Sequence, residues 1–322
     1  MEELPATLVT GAGGCIGAWT IRQLLAEGAP VMALDLGRDD RRLRLLLEPD
    51  ELAPVEWIEA DVTDLAALRR IVEEHEIGAV IHLAALQAPF CRADPPRGAL
   101  VNVVGTVNLL DALVRRGAPA APFVYASSIA AGSLAGEPHP TTAYGVYKLA
   151  CEGVTDVYHR EHGVASIGLR PHTVYGPGRD QGITSSPTLA MLAAATGSEY
   201  EIPFAGQLTM QYAPDVAAAF VAASRRRDHE GASVFDLPGS TVTVEEILEA
   251  IEEAVPGAAV SAAGSPLGFP AAGRAEFEWP VALSPVTPLP EGVGATIARF
   301  RELVASGRLD PGVSGPAPAG AG

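Results

Sequence analysis

Tyr144 and Lys148 stand four residues apart in Tyr-Gly-Val-Tyr-Lys, and Lys148 is the only lysine of a 322-residue chain that carries 21 arginines. The two cations serve alike on a solvated surface, so chance drift explains a biased composition. They differ where a compact, titratable point charge is needed. On a helix this spacing stacks both side chains on one face, with Cβ atoms about 6 Å apart. A cation beside a phenol favours the phenolate, and a phenol so placed can take or give a proton near neutral pH.

A second signal lies near the N-terminus. Ala6 to Thr10 is a short apolar, β-prone run, Gly11-Ala12-Gly13-Gly14-Cys15-Ile16-Gly17 follows, and Ala18 to Glu27 reads as an amphipathic helix that stops at Gly28. In such a strand, loop and helix, Gly11, Gly14 and Gly17 suit a tight turn, a close approach to a pyrophosphate and close helix packing, with the phosphates at the positive helix end. Cys15 and Ile16 belong to the same cofactor loop. The next strand, Pro30 to Leu34, ends on Asp35, about 20 residues beyond the loop, where a carboxylate accepts both ribose hydroxyls of NAD. That charge repels the 2′-phosphate of NADP, so NAD is the expected cofactor and NADP the lesser one. Arg38, Arg41 and Arg42 follow closely and could neutralise such a phosphate.

Positioning these groups needs a sheet. Strand-like runs recur at Val55 to Glu59, Ala79 to Leu83, Pro122 to Ala126, Ala165 to Leu169 and Ser233 to Leu237, mostly separated by helical stretches. That alternation implies an α/β fold, a Rossmann-type doubly wound parallel sheet, with a smaller C-terminal substrate lobe. Ligands bind at the carboxyl ends of such strands. There the chain places Asp61 and Val62, then His82-Leu83-Ala84-Ala85, then Ser127-Ser128. Ala84 and Ala85 are small enough for a flat cofactor to lie against backbone. Asp61 can accept from an adenine amino group or serve as an N-cap or turn carboxylate.

The cofactor domain is expected over residues 1–175, with roughly 210–240 returning to it, and the substrate lobe over 176–209 and 241–305. Ser186 to Thr196 and Val244 to Ala254 read as helices of that lobe, and the proline-rich Pro266 to Pro290 as a surface wrap or pocket rim. Residues 306–322, above all the Pro, Gly and Ala run after Asp310, cannot bury a core and are expected to be disordered.

With 48% hydrophobic residues the chain can bury a sizeable core. No window of about 18 uninterrupted apolar residues occurs. Met1-Glu2-Glu3 lacks a basic signal-peptide start, so a cytoplasmic protein is expected. A formal charge of −17 argues against nucleic acid or an anionic membrane as partner. Cys15, Cys91 and Cys151 form no CxxC pair and the seven histidines show no ligand spacing, so neither a disulfide framework nor a metal site is expected.

Together these segments resemble the extended short-chain dehydrogenase/reductase family, also described as NAD-dependent epimerase/dehydratase. The resemblance rests on Thr10 through Gly17, Asp35, Asp61-Val62, His82-Leu83-Ala84-Ala85, Asn102 in Val-Asn-Val-Val-Gly-Thr, Ser127-Ser128, Tyr144 with Lys148, and Arg170-Pro171-His172-Thr173-Val174-Tyr175-Gly176-Pro177-Gly178. It implies that Tyr144 is the acid/base and that Lys148 grips the nicotinamide ribose and eases ionisation of the phenol. Ser128 would hold the substrate oxygen and Ser127 line the cofactor. Leu83, Asn102, Pro171 and Thr173 join the cofactor contacts by the same resemblance, though Asn102 could merely brace a local backbone kink. It also implies a homodimer formed through helices around 96–116 and 142–162.

Departures from the family pattern narrow the substrate. Nucleotide-sugar members commonly carry Asn where this chain has Thr173, and an arginine before an Asp-Val-Ala segment where it reads Met210-Gln211-Tyr212-Ala213-Pro214-Asp215. A missing diphosphate clamp forfeits charge-assisted hydrogen bonds of about 1.5–3 kcal/mol each. Ser128 is followed by Ile129-Ala130-Ala131 rather than the acidic pair that dehydratases use. Gln87, His172, Arg179 and Gln181 are the substrate-side candidates, with Arg179 suited to a carboxylate or phosphate. The leading expectation is an NAD-dependent dehydrogenase for a secondary alcohol of a sugar, sugar acid or polyol. The alternatives are a nucleotide-sugar epimerase and a non-catalytic NAD-binding scaffold or sensor.

Overall fold

The computed structural model describes residues 5–117, 121–132, 139–268, 277–279 and 286–310. Strand β1 (Ala6–Thr10) enters the glycine loop and α1 (Cys15–Ala26), and β2 (Val31–Asp35), α2 (Arg41–Arg44), β3 (Glu56–Glu59), α3 (Leu65–Glu74) and β4 (Ile77–His82) follow. Helices α4 (Ala88–Ala93) and α5 (Pro95–Ala99) lead through a π-turn (Leu100–Val104) into α6 (Gly105–Arg116), then to β5 (Phe123–Ala126), α7 (Ala143–His162) and β6 (Ser166–Arg170). The rest comprises β7 (Thr173–Tyr175), α8 (Ser186–Thr196), β8 (Tyr200–Ile202), β9 (Gln207–Tyr212), α9 (Ala213–Ser224) and β10 (Ala232–Asp236). It closes with β11 (Ser240–Thr243), α10 (Val244–Ala254), β12 (Val260–Ala262), β13 (Phe277–Glu278) and α11 (Leu289–Ala305).

Eight parallel strands form the main sheet in the order β13-β10-β6-β5-β4-β1-β2-β3. Its central strands are buried on both faces, which is why they read as continuous apolar runs. One face carries α1 and α9, with Trp19, Ile21 and Phe220 in its core; the other carries α3, α6 and α7 over Leu68, Leu109 and Tyr125. This is the doubly wound architecture expected from the sequence, and each anticipated strand lies within two residues of its predicted place. A third core of Met191, Ile247, Phe300 and neighbours joins α8, α10 and α11 beside the small β11-β9-β7 sheet.

Three local expectations change. Helix α1 begins at Cys15, not Ala18, because Gly14 serves as its N-cap. Part of the proline-rich stretch supplies the edge strand β13, while most of it lies outside the described residues. Residues 306–310, placed by sequence in a disordered tail, are held instead, because Arg308 donates to Leu47 O at 2.7 Å and pairs with Glu48; the run from residue 311 lies outside the described residues. Pro95–Arg116 is long and apolar enough to cross a membrane, but 56% of its apolar window is buried, and it packs on α3 and α7 as a core helix.

Four elements are fastened by one buried ionic cluster. Arg170, at the end of β6, donates from Nε and Nη2 to the two oxygens of Glu152 on α7, each at 2.7 Å. Asp236, at the end of β10, lies 3.7 Å from its Nη1, and Ser127, after β5, donates to Glu152. Burial alone would lower the Arg170 pKa, and Glu152 with Asp236 more than reverses this. Removing one partner of a buried pair strands the other charge. Glu152→Ala should therefore lower the unfolding free energy by about 3–5 kcal/mol in denaturant titration. A loss below about 1 kcal/mol, the range of exposed pairs, would show that the pair is not a structural tie.

Candidate active site

The floor of the nucleotide cleft is a contact between backbones. Gly11 has φ +69°, and a Cβ there would lie 2.6 Å from Ala84 N. The loop after β1 thus rests on the exit of β4 in a way that no side chain permits. Thr10 Oγ1 locks this contact by accepting the N–H groups of Leu83 and Ala84, each at 3.2 Å. Its own hydrogen then goes to His82 Nδ1 at 2.7 Å, which assigns the ring proton to Nε2 for donation to Thr106 Oγ1 at 3.1 Å. Thr106 in turn donates to Asn102 O at 2.7 Å. Burial, with the charge of Lys148 added, pulls the His82 pKa down to about 3, so the imidazole is neutral.

Asp35 ends β2 with both oxygens at the loop, accepting Gly13 N–H at 2.9 Å and Leu36 N–H at 2.8 Å. Two of the three following arginines are committed elsewhere. Arg41 pairs with Asp39, and Arg42 pairs with Asp180 and donates to Gly13 O and Gly178 O. Arg38 stacks over Trp57, 5.6 Å from its ring centre. Cys15 opens α1, and burial pushes its thiol up to about 11 against the opposing charges of Arg179 and Arg42. Ile16 packs partly buried on the core beneath the loop. A glycine cradle closed to any Cβ, a helix N-terminus and a strand-end carboxylate fit a dinucleotide's pyrophosphate and ribose.

On the reaction side, Thr142 caps α7 by accepting Gly145 N–H at 3.0 Å. A Cβ at Gly145 would lie 2.2 Å from Ala130 O, so the helix start carrying Tyr144 abuts the turn that follows Ser128. Lys148 is only 5% exposed; its Nζ donates to Ala126 O at 2.7 Å and lies 5.7 Å from the Tyr144 ring centre. Ser127 commits its hydroxyl hydrogen to Glu152. Ser128 Oγ accepts Ala130 N–H at 3.1 Å. Pro171 O accepts Ile129 N–H at 3.1 Å, which joins this turn to the exit of β6, and Thr173 is buried at the start of β7.

The other candidate residues are held by neighbouring protein groups. Asn102 is 1% exposed and donates from Nδ2 to Leu86 O and Gly98 O at 3.1 and 2.9 Å, which braces the π-turn, while its buried Oδ1 has no partner among the described residues. Asp61 accepts Thr63 N–H and pairs with Arg97 at 2.9 Å, the turn role. Burial would raise its carboxyl, but Thr63 and Arg97 outweigh that and hold it below the usual range. Val62 packs in the core, and its carbonyl accepts from Asn108 at 3.0 Å. His172 gives its backbone N–H to Gln211 Oε1; burial lowers its ring pKa against the pull of Asp236, which sets it by the ionic cluster. Arg179 and Gln87 do meet, at 3.2 Å. Sequence reasoning missed Glu152, although it stands eight residues after Tyr144 on the helix face of Lys148.

The family model described as NAD dependent epimerase/dehydratase matches residues 7–236. The chain belongs to this family. Over 207 residues it is 34% identical to a UDP-glucose 4-epimerase of Mycolicibacterium smegmatis, a match covering 59% of this chain and 64%, just under two thirds, of that one. It is 28% identical over 288 residues to a dTDP-L-rhamnose 4-epimerase of Burkholderia thailandensis, covering 73% and 77%. Among solved structures, a Thermus thermophilus UDP-glucose 4-epimerase in complex with NAD superposes with a TM-score of 0.73 at 26% identity, covering 92% and 99%. A partial-consensus L-threonine 3-dehydrogenase superposes at 0.76 with 25% identity, covering 92% and 100%. Members of one architecture thus include both epimerases and dehydrogenases.

The neutral His82 gives a test of the cleft floor. Its native pKa lies below the ordinary histidine value of about 6.5, so as pH falls the unfolded chain takes up the proton first, and stability present above pH 6.5 is lost towards pH 3. His82→Gln keeps a donor and an acceptor without titrating. Between pH 7 and 5 the parent should lose about 2 kcal/mol more unfolding free energy than the variant in parallel denaturant titrations. Equal losses would show that His82 is not buried neutral.

Proposed function

We propose that the protein is an NAD-dependent oxidoreductase that transfers hydride between NAD and a secondary alcohol or carbonyl of a small polar molecule, such as a sugar, sugar acid or polyol. The observation that carries this reading is the pairing of Tyr144 over buried Lys148, abutting the turn that presents Ser128. The amides of Gly11 to Gly17 would hold the pyrophosphate, Asp35 the adenine ribose, Ala84 and Ala85 the flat rings, and Lys148 the nicotinamide ribose. NAD, when bound, supplies the acceptor for hydride. Ser128 donates its hydrogen bond to the substrate oxygen and orients it, while the Tyr144 phenolate removes the hydroxyl proton. Lys148 stabilises that phenolate by its charge from below.

The polar commitments after β7 speak for a substrate without a nucleotide. Gln211, in the segment before Asp215-Val216-Ala217, is 3% exposed and donates to Leu237 O at 2.7 Å while accepting from His172. It is thereby withdrawn from any diphosphate. A second reading, a nucleotide-sugar epimerase that oxidises and re-reduces one carbon, is favoured by the 34% identity to a UDP-glucose 4-epimerase. The complete Ser128, Tyr144 and Lys148 set argues against a non-catalytic scaffold.

A homodimer belongs to the same reading. Leu100, Val104, Val146, Leu149 and Val157 are exposed on the π-turn and on α7, the region where the family resemblance puts the dimer contact.

Tyr144→Phe should reduce turnover by about 10²–10⁴-fold and leave NAD affinity unchanged. Turnover that survives the substitution would remove Tyr144 from the chemistry. Denaturing the purified protein and weighing any released nicotinamide cofactor separates the two enzymatic readings. Stoichiometric retained NAD with no net NADH in the presence of sugars, sugar acids and polyols is the epimerase outcome; an empty site with NADH formed from one of them is the dehydrogenase outcome.

A further inference from the structure

Arg179, in the loop after β7, is a half-buried cation whose guanidinium donates to neutral groups. Its Nη1 donates to Gln87 Oε1 at 3.2 Å and its Nη2 to Thr184 Oγ1 at 2.8 Å, while the buried Nε–H has no acceptor among the described residues. Among the described residues it forms no ion pair, and the neighbouring Asp180 is taken by Arg42 at 2.6 Å. Burial holds its pKa below the ordinary arginine range, opposed by Cys15, Tyr144 and Asp180, so the guanidinium lies within electrostatic reach of both the catalytic phenol and the glycine loop. Arginine does not escape burial by losing its proton. A desolvated charge without a counterion is unfavourable, and a ligand's anion relieves it.

Two anions can approach this position, the pyrophosphate of the cofactor and an anionic group of the substrate. The pyrophosphate has the amides of the glycine loop and the start of α1. Lys148, the cation beside the Tyr144 ring, is directed to Ala126 O. Gln87 and Thr184 hold the planar fork in one orientation, the arrangement that suits bidentate recognition of a carboxylate. We propose that Arg179 receives the carboxylate of a hydroxy acid substrate, with Gln87 and Thr184 as its positioning residues. This rests on the oxidoreductase reading above and deepens it from small polar alcohols to hydroxy acids, sugar acids among them.

Calorimetric titration of the NADH-loaded protein with matched probes tests the assignment: D-galacturonate against D-galactose, D-gluconate against D-glucitol, and L-lactate against propane-1,2-diol. In the parent, one acid or more should bind at least about tenfold tighter than its neutral partner. In Arg179→Met the preference should fall to about twofold or less, and in Arg179→Lys, which keeps charge without the fork, it should be intermediate. NAD affinity of the free protein should be unchanged in Arg179→Met, and its thermal midpoint unchanged or raised, since an uncompensated half-buried charge is gone.

Indifference of the parent to the carboxylate, or a preference that persists in Arg179→Met, overturns the proposal. So does a fall in NAD affinity of about tenfold, which assigns the guanidinium to the cofactor's pyrophosphate, or a thermal midpoint lowered by more than about 5 °C, which makes Arg179 structural. Acid preference without NADH formation would defeat the oxidoreductase reading and leave the carboxylate site standing. NADH formation without acid preference would do the reverse.

Discussion

Helix α7 is fastened to the sheet through polar groups as much as through apolar packing, and the site depends on that attachment. Tyr144, Lys148 and Glu152 follow one another at four-residue intervals down one stripe of the helix. Lys148 bonds the last carbonyl of β5, and Glu152 takes Ser127 and the Arg170 fork. Directional bonds of this kind hold the helix in one axial register against the strand ends, where apolar contacts alone would tolerate sliding. The phenol is thereby located by groups one and two turns away from it.

A second polar chain does the same for the cofactor side. It runs from the N–H groups of Leu83 and Ala84 through Thr10, His82 and Thr106 to the carbonyl of Asn102. Each hydroxyl in it both donates and accepts, so only one arrangement of hydrogens satisfies all members. The π-turn provides the carbonyl that ends the chain, and Asn102 holds that turn against Leu86 and Gly98. Two halves of the sheet meet at this line, which is where doubly wound folds bind their ligands.

Much of this was legible in the residues because its physics is local. Strands buried on both faces leave uninterrupted apolar runs, and α8 is bounded by a proline in its first turn and by Gly197 in the left-handed region. The start of α1 was misplaced because the whole run from Gly11 to Gly17 was assigned to the loop, whereas Gly14 caps the helix and Gly17 lies within it. Strand β13 is two residues long in a proline-rich stretch and leaves no period to detect. In the site, the Tyr144 and Lys148 spacing spoke for itself, and Glu152 was visible on the same stripe. The meeting of Gln87 with Arg179, 92 residues away, is set by tertiary packing and has no signature along the chain. Asn102 stayed open in the sequence because an amide inside a helix gives no sign of whether it serves a ligand or a neighbouring carbonyl.

Lys148 also shapes how the molecule meets reagents. The only ε-amine of the chain is nearly sealed from water and engaged with the Ala126 carbonyl, so the surface cations are guanidinium groups. Electrophiles that seek lysine, whether acyl donors in a cell or cross-linkers at the bench, find their side-chain target only when α7 lifts from the sheet. Amine reactivity in this protein is therefore a gauge of local opening at the candidate active site, with almost no background from elsewhere on the fold.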